Sequence, residues 1–212
     1  MVLRVAVAGL WWKGIFRFAE RRTFSGCSVG IFLPQTVDRP LFEQKCSVAF
    51  ELVRLHGPRH FARLGKLCDG VLVFGDTGPL AEWVQSARLI TLGQHFLLRP
   101  GTQPADVAAA IVHEITHAWL DHLGFEYTVH RRRRIEAICY RSQAAFARRL
   151  PGGEELAADC EACADAVLLQ TEAEWSEHVF RLRAIAQLRE LGTPEWLVRA
   201  VSGITTMLHN ER

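Results

Sequence analysis

The residues of this chain most able to do chemistry form one short segment, His113-Glu114-Ile115-Thr116-His117, which has the pattern HExxH. Residues four apart leave the same face of a helix about one turn apart, so both imidazoles can point at one cation. Glu114 is rotated by about 100° from His113, which lets it flank that cation without binding it. This arrangement suits a zinc ion held by His113 and His117 that activates water, with Glu114 as general base.

The helix that must carry these residues is predicted over 104–123. It is apolar on nearly every side, which is typical of a buried helix. Two histidines and a glutamate buried together need partners, because an unpaired buried polar group costs free energy. A pair of structural core histidines is the alternative, and the occurrence of all three residues together favours a metal centre.

A third ligand is offered by Glu136, which stands 19 residues after His117. It lies near the start of a second predicted helix, over 129–150, which follows a turn at Gly124. Such a turn brings the second helix back against the first, as a carboxylate ligand requires. A surface Glu136 paired with an arginine three or four residues earlier is the alternative. The apolar neighbours Ile135 and Ala137 favour a buried ligand.

These motifs resemble the gluzincin clan of zinc peptidases, which includes the thermolysin-like enzymes and the alanyl-type aminopeptidases. The spacing HExxH-x18-E carries the resemblance, and HEITHAWL, LGF and IEAIC are also similar to the peptidase domain of plant LIM-domain, ubiquitin-activated peptidases. Small uncharacterised bacterial proteins with this core are more similar still. The similarity covers residues 87–150. It implies a zincin-like fold, zinc on His113, His117 and Glu136, and a strand near 90–98 at the sheet edge where an extended peptide would lie.

The chain departs from this clan at two points. Many gluzincins have an aspartate four residues after the third ligand, where it orients the first histidine, and this chain has Tyr140 there. Asp106 and Asp121 are the alternative partners for the histidines, because each falls on the appropriate face of the helix. The motif that binds a free N-terminus in the aminopeptidases is absent, so aminopeptidase specificity is not expected.

A peptidase also needs a donor for the developing oxyanion. Tyr140 is the first choice because it is one turn from Glu136, although it can equally anchor its helix to a neighbour. Tyr127, His130 and His95 are the other candidates. The isolated pair Cys160 and Cys163 has neither a second cysteine pair nor a preceding strand, so it is predicted to face a helix interface.

The order of elements predicts an α+β fold, with a small sheet followed by a mostly helical half. An apolar helix is expected at the N-terminus, then a turn-rich piece over 26–40. Strands are expected at 71–75 and within 87–98, where a second and a third are possible. The helices are expected at 41–56, 58–67, 104–123, 129–150, 154–170, 173–191 and 194–208. An N-terminal segment, 1–36, is predicted to dock on a single metallohydrolase domain, 37–212.

Composition narrows the possible partners. The chain has 212 residues and a net charge of +2, so nothing in it demands nucleic acid, and the arginine run 131–134 suits a solvated helix start. The six cysteines are widely spaced, which favours reduced thiols and a cytoplasmic location. The apolar run 5–12 is too short to span a bilayer. Aromatic and basic residues within 1–22 allow contact with a membrane surface, at its inner face, as an alternative.

The sequence therefore predicts a zinc metallopeptidase acting on a peptide or protein substrate, with Glu114 as base and Tyr140 as second catalytic residue. Two alternatives stay open. One is a zinc hydrolase of a non-peptide carbonyl compound, since the pocket decides the substrate. The other is a non-catalytic, membrane-docked metal-binding protein, which would have no need of Glu114 as base.

Overall fold

The computed structural model describes residues 2–32, 38–74 and 80–170, nearly all of them within one compact unit, Met1–Leu169. The described residues form five strands, β1 (Glu20–Phe24), β2 (Cys27–Phe32), β3 (Gly70–Phe74), β4 (Ala81–Val84) and β5 (Leu89–Gly93). They also form seven helices, α1 (Val2–Phe18), α2 (Arg39–His56), α3 (Pro58–Leu67), α4 (Gln94–Leu98), α5 (Pro104–His122), α6 (Val129–Ala147) and α7 (Glu154–Leu169).

The strands form one mixed sheet in the order β1-β2-β3-β5-β4. The three inner strands, β2, β3 and β5, are parallel, and the two edge strands pair antiparallel with their neighbours. In β3 the run Val71, Leu72 and Val73 is fully buried. Both faces of the sheet are therefore covered, as is usual for parallel strands.

Alternate residues of the inner strands supply two separate cores. Val71 and Ile90 belong to the larger core, together with the apolar faces of α2 and α5. Leu72 and Leu89 point the other way, into a smaller cluster with Phe16 of α1. The sheet thus lies between α1 on one face and the helices that carry the site on the other.

Two glycines in the sheet make room for α1. A Cβ on Gly30 would lie 2.7 Å from the Phe16 ring, and one on Gly70 would lie 2.2 Å from it. The guanidinium of Arg21 lies 3.6 Å from the centre of the same ring. Phe16 is consequently enclosed by backbone on one side and by a cation on the other.

Local signals fix both ends of α5. Pro104 opens the helix, where its missing N–H costs nothing, and the Gln103 N–H donates to Asp106 Oδ2 at 2.7 Å. Gly124 follows the C-terminus with φ +81°, a conformation that glycine adopts readily. The chain reverses there, and α6 packs back against α5.

The α+β expectation is confirmed, as are the helices predicted at the N-terminus, at 41–56 and 58–67, and over 104–170. The expected turn-rich piece over 26–40 is wrong in its first part. Among the described residues of this stretch and its start, Ser25 and Gly26, both with positive φ, form a turn, and β1 and β2 flank it. No sequence pattern identifies β1, because the three exposed residues at its centre, Arg21-Arg22-Thr23, interrupt the alternation of polar and apolar residues.

Two expectations about the sheet are also wrong. The possible third strand within 87–98 is the helix α4, and β4 lies further upstream, where the sequence predicted no strand. The segment near 90–98 does not form the sheet edge, because β5 lies between β3 and β4. Strand β4 takes the edge next to the site. The helices predicted at 173–191 and 194–208 lie outside the described residues.

Among the described helices, none combines the length and the apolar character needed to cross a membrane.

Candidate metal centre

Three side chains from two helices converge on one point. Nε2 of His113 and Nε2 of His117 lie 3.2 Å apart. From α6, Glu136 places Oε2 at 3.2 Å from His113 and Oε1 at 3.4 Å from His117. The i, i+4 spacing within α5 provides the histidine pair, and the reversal at Gly124 brings Glu136 to it.

The other nitrogen of His113 has its own partner. Nδ1 lies 3.1 Å from Oε1 of Gln143, so the amide oxygen accepts the Nδ1–H and Nε2 faces the centre, beside Glu136. Burial by itself would lower the pKa of His113, but the hydrogen bond with Glu136 and the charge of Glu114 raise it above the ordinary value. Gln143 is a site residue that the sequence analysis missed. Its position seven residues after Glu136, on the same helix face, was the signal available.

Glu136 is held from several sides. Burial alone would raise its pKa, but hydrogen bonds with His113 and His117 lower it far below the ordinary value, so it is ionised. The Tyr127 hydroxyl donates to Oε1, and the Tyr127 ring stands edge-on to His117 with ring centres 5.5 Å apart. The loop between α5 and α6 therefore orients the carboxylate.

Glu114 leaves α5 in a different direction and meets the sheet. The Trp83 N–H of the edge strand β4 donates to its Oε2 at 2.7 Å. Glu114 is 6% exposed. Burial raises the pKa of Glu114. The charges of His113 and His117 lower this pKa, and the charge of nearby Glu136 raises it further. The backbone donor from Trp83 is a contact that no local sequence pattern predicts.

Cys139 lies beneath this centre, one turn after Glu136 on α6. Its Sγ and one ring nitrogen of each histidine all lie within 4.8 Å of one another, so His113, His117 and Cys139 could hold a metal ion. The thiol is fully buried and packs with Leu120 and Ile135. Burial raises its pKa well above the ordinary value.

No protein-family model, curated protein or solved structure matches the chain.

The expected aspartate partners of the histidines are used elsewhere. Asp106 caps α5, and Asp121 accepts a hydrogen bond from Gln85. The structure places Gln143, and neither aspartate, on His113.

The four oxyanion candidates fall into two groups. Tyr140 stands edge-on to His113 with ring centres 4.6 Å apart, and Tyr127 contacts Glu136. Burial raises the pKa of Tyr140 to about 12, so its hydroxyl is protonated at neutral pH. His95 on α4 and His130 at the start of α6 are both exposed. The two tyrosines are therefore the ones next to the histidine and carboxylate cluster.

The Cys160 and Cys163 pair divides between two environments. Cys160 is 4% exposed and Cys163 is exposed, so only the first faces a helix interface as expected for both.

Proposed function

We propose that this protein is a zinc-dependent peptidase with a gluzincin-type, zincin-like active site, in which His113, His117 and Glu136 bind the metal. The observation that carries the proposal is the close approach of three side chains. The two Nε2 atoms lie 3.2 Å apart, Glu136 Oε2 lies 3.2 Å from Nε2 of His113, and Glu136 Oε1 lies 3.4 Å from Nε2 of His117. Zinc bonds to nitrogen and oxygen are about 2.0–2.1 Å long, and tetrahedral geometry then separates two ligands by about 3.3 Å. The three pairwise distances are close to that separation, so a zinc ion bound by both histidines and one oxygen of Glu136 would keep a fourth position open.

The open position is what distinguishes a catalytic from a structural zinc site. A zinc ion in this site would supply a Lewis acid and would lower the pKa of a water molecule at the open position to about 7. Glu114 has one oxygen, Oε2, occupied by the Trp83 N–H, so Oε1 is the atom that accepts the water's proton. Burial raises the pKa of Glu114 towards the range in which a carboxylate works as a general base near neutral pH.

The position of β4 supports a peptide as substrate. Leu80 and Val84 direct their carbonyls towards β5 or the turn that leads to it, accepting from Gly93 and Ala87. Because successive residues of a strand alternate, the backbone groups of Ala81 and Trp83 point away from β5. The Trp83 N–H is already bound to Glu114, so an extended peptide can add to that edge through the backbone groups of Ala81 and the Trp83 carbonyl, beside Glu114. The proposed peptide edge is therefore β4, where the resemblance had suggested the strand near 90–98.

The tyrosines complete the proposed site. The Tyr127 hydroxyl donates a hydrogen bond to Glu136 and so orients the carboxylate, while Tyr140 has a protonated hydroxyl and its ring contacts His113. We assign the oxyanion donor to Tyr140. Its replacement by phenylalanine should lower kcat with little change in metal content, whereas Tyr127→Phe should weaken metal binding first.

The proposed function is tested with Glu114→Gln, which keeps the shape of the side chain and removes its proton affinity. The purified full chain should contain about one zinc per molecule, as should the variant, because Glu114 is not a ligand. Cleavage of a mixed peptide library should fall by about 10²-fold or more in the variant, the usual scale for loss of a positioned general base.

The matched control is Glu155→Gln, an exposed glutamate in the first turn of α7, which should cleave like the wild type. Chelation should abolish cleavage, and added zinc should restore it. Zinc-loaded Glu114→Gln that cleaves as fast as the wild type would contradict the mechanism. Wild-type protein that binds no zinc would contradict the metal centre itself.

A further inference from the structure

Cys139 and Glu136 present two different kinds of donor to the same histidine pair. They are three residues apart on α6, so they lie on neighbouring parts of one helix face. Glu136 touches both histidines directly, and the Cys139 sulfur lies within 4.8 Å of a nitrogen of each. One donor is a hard carboxylate and the other a soft thiol.

The two donors differ in burial. The Glu136 side chain is 12% exposed and meets the half-exposed Tyr127, whereas Cys139 is 0% exposed. Cys139 packs with Leu120 of α5 and Ile135 of α6, so it lies between the two helices. A thiol in a purely structural position needs no histidine neighbours, whereas this one shares its pair of imidazoles with a carboxylate.

We propose that Cys139 is a second, soft ligand of this metal centre, so that thiophilic cations are held by His113, His117 and Cys139. The inference rests on the proposed metal site. A metal–sulfur bond about 2.3 Å long places sulfur about 3.5 Å from a nitrogen ligand of the same ion, so the sulfur closes at most about 1.3 Å. The thiol proton passes to water as the bond forms.

This second ligand makes the centre selective. A cation held by His113, His117 and Cys139 has three protein ligands and one remaining position, which Glu136 can fill, and water is then excluded from a tetrahedral shell. Cadmium, which favours thiolate, is held in this inactive form.

The experiment titrates the metal-free full chain with Co²⁺ and records its absorption spectrum. Visible bands report binding in a tetrahedral site, and a separate near-ultraviolet band reports a sulfur–cobalt bond. The wild type should show both. Cys139→Ser should keep the visible bands and lose the near-ultraviolet band, and its affinity for Cd²⁺ should fall by more than its affinity for Zn²⁺.

Cys160→Ser is the matched control, since it removes a buried cysteine of α7 that is outside the donor group. It should keep the near-ultraviolet band, as should Glu136→Gln. Circular dichroism verifies that each variant is folded, and Cys139→Ala replaces Cys139→Ser if the serine variant is not.

The outcomes separate the two proposals. Visible bands without a near-ultraviolet band in the wild type overturn the Cys139 ligand and leave the proposed function standing. A near-ultraviolet band that persists in both Cys139 variants also overturns it. Wild-type protein with neither set of bands overturns the metal centre, and the proposed function with it.

Discussion

At the scale of single residues, the contact between Gln143 and His113 decides how the first histidine is presented. The amide oxygen lies 3.1 Å from Nδ1, so it accepts the Nδ1–H, and Nε2 faces the donor cluster. Tyr140 occupies the position where many gluzincins have an aspartate for this purpose. Gln143, about one turn after Tyr140 on α6, supplies the hydrogen bond to His113 instead.

Gln143 gives a prediction about metal affinity. Gln143→Leu removes the acceptor, so zinc affinity should fall about 10–100-fold, the usual effect of losing such a partner. Gln143→Glu restores an acceptor and should retain the affinity. Competition with a chromophoric chelator measures both. Equal zinc affinity in the wild type and the leucine variant would show that Gln143 does not orient His113.

At the scale of elements, a buried chain of hydrogen bonds joins α3, α5 and α6 behind the metal centre. The Thr116 hydroxyl gives its single proton to the Val112 carbonyl at 2.8 Å. Ser142 Oγ lies 2.9 Å from the Thr116 hydroxyl and 3.1 Å from Nε2 of His60, so it joins the two side chains by hydrogen bonds. Within the described chain, Nδ1 of His60 is buried without a hydrogen-bond partner.

This chain of hydrogen bonds predicts a loss of stability in mild acid. Burial and the positive charges of Arg63 and Arg149 lower the pKa of His60 from 6.5 to about 4. Above pH 6.5 His60 is neutral whether the protein is folded or not. As pH falls towards about 4, the unfolded chain binds a proton that the folded chain refuses, so stability is lost over that window.

The test compares the wild type with His60→Gln, whose amide can still donate to Ser142. As the pH falls from about 7 to about 4.5, the free energy of unfolding should decrease more for the wild type than for the variant. Taking the difference cancels the contribution of every group that behaves alike in the two proteins. Urea denaturation at several pH values measures it. A difference that does not change with pH would assign the acid sensitivity to other groups.

At the scale of the whole molecule, α1 covers the sheet face opposite the metal centre through Phe16. Its ring fills the space that Gly30 and Gly70 leave open. Phe16→Ala should therefore lower the free energy of unfolding by about 3–5 kcal/mol, as for other buried phenylalanines. Phe18→Ala, on the same helix but 84% exposed, is the control and should change it by about 0.5 kcal/mol or less. Similar losses in both variants would show that α1 is not held by Phe16.

The outward side of α1 has exposed apolar residues beside basic ones, so contact with a membrane surface can be tested by experiment. Leu10, Trp11 and Phe18 are exposed there, beside Lys13 and Arg17. If this surface contacts a membrane, the full chain should sediment with anionic vesicles and not with zwitterionic ones. The double variant Trp11→Ser and Phe18→Ser should then stay in solution. Wild-type protein that fails to sediment with anionic vesicles would end the membrane hypothesis.

Much of the helical half could be predicted from sequence, because its signals are local. The i, i+4 spacing of His113 and His117, Pro104 at the start of α5 and Gly124 after its end act within one or two turns of chain. The same reasoning found β3, whose apolar run is buried on both faces. It failed for β1 and β4, which are short edge strands with exposed polar residues and little alternation, and for the inner strand β2, which lies in the stretch predicted to be turn-rich.

The sequence by itself determined the candidate site residues, namely two histidines on one helix face, a glutamate beside them and a second glutamate on the helix that returns. Only the tertiary structure decided what surrounds them. It placed Gln143 on His113, Cys139 beneath the histidines and the Trp83 N–H on Glu114, and it put β4 at the sheet edge in place of β5. The physical reason is that helix geometry fixes directions within a few residues. Contacts between elements depend on how whole faces pack, and no short stretch of chain contains that information.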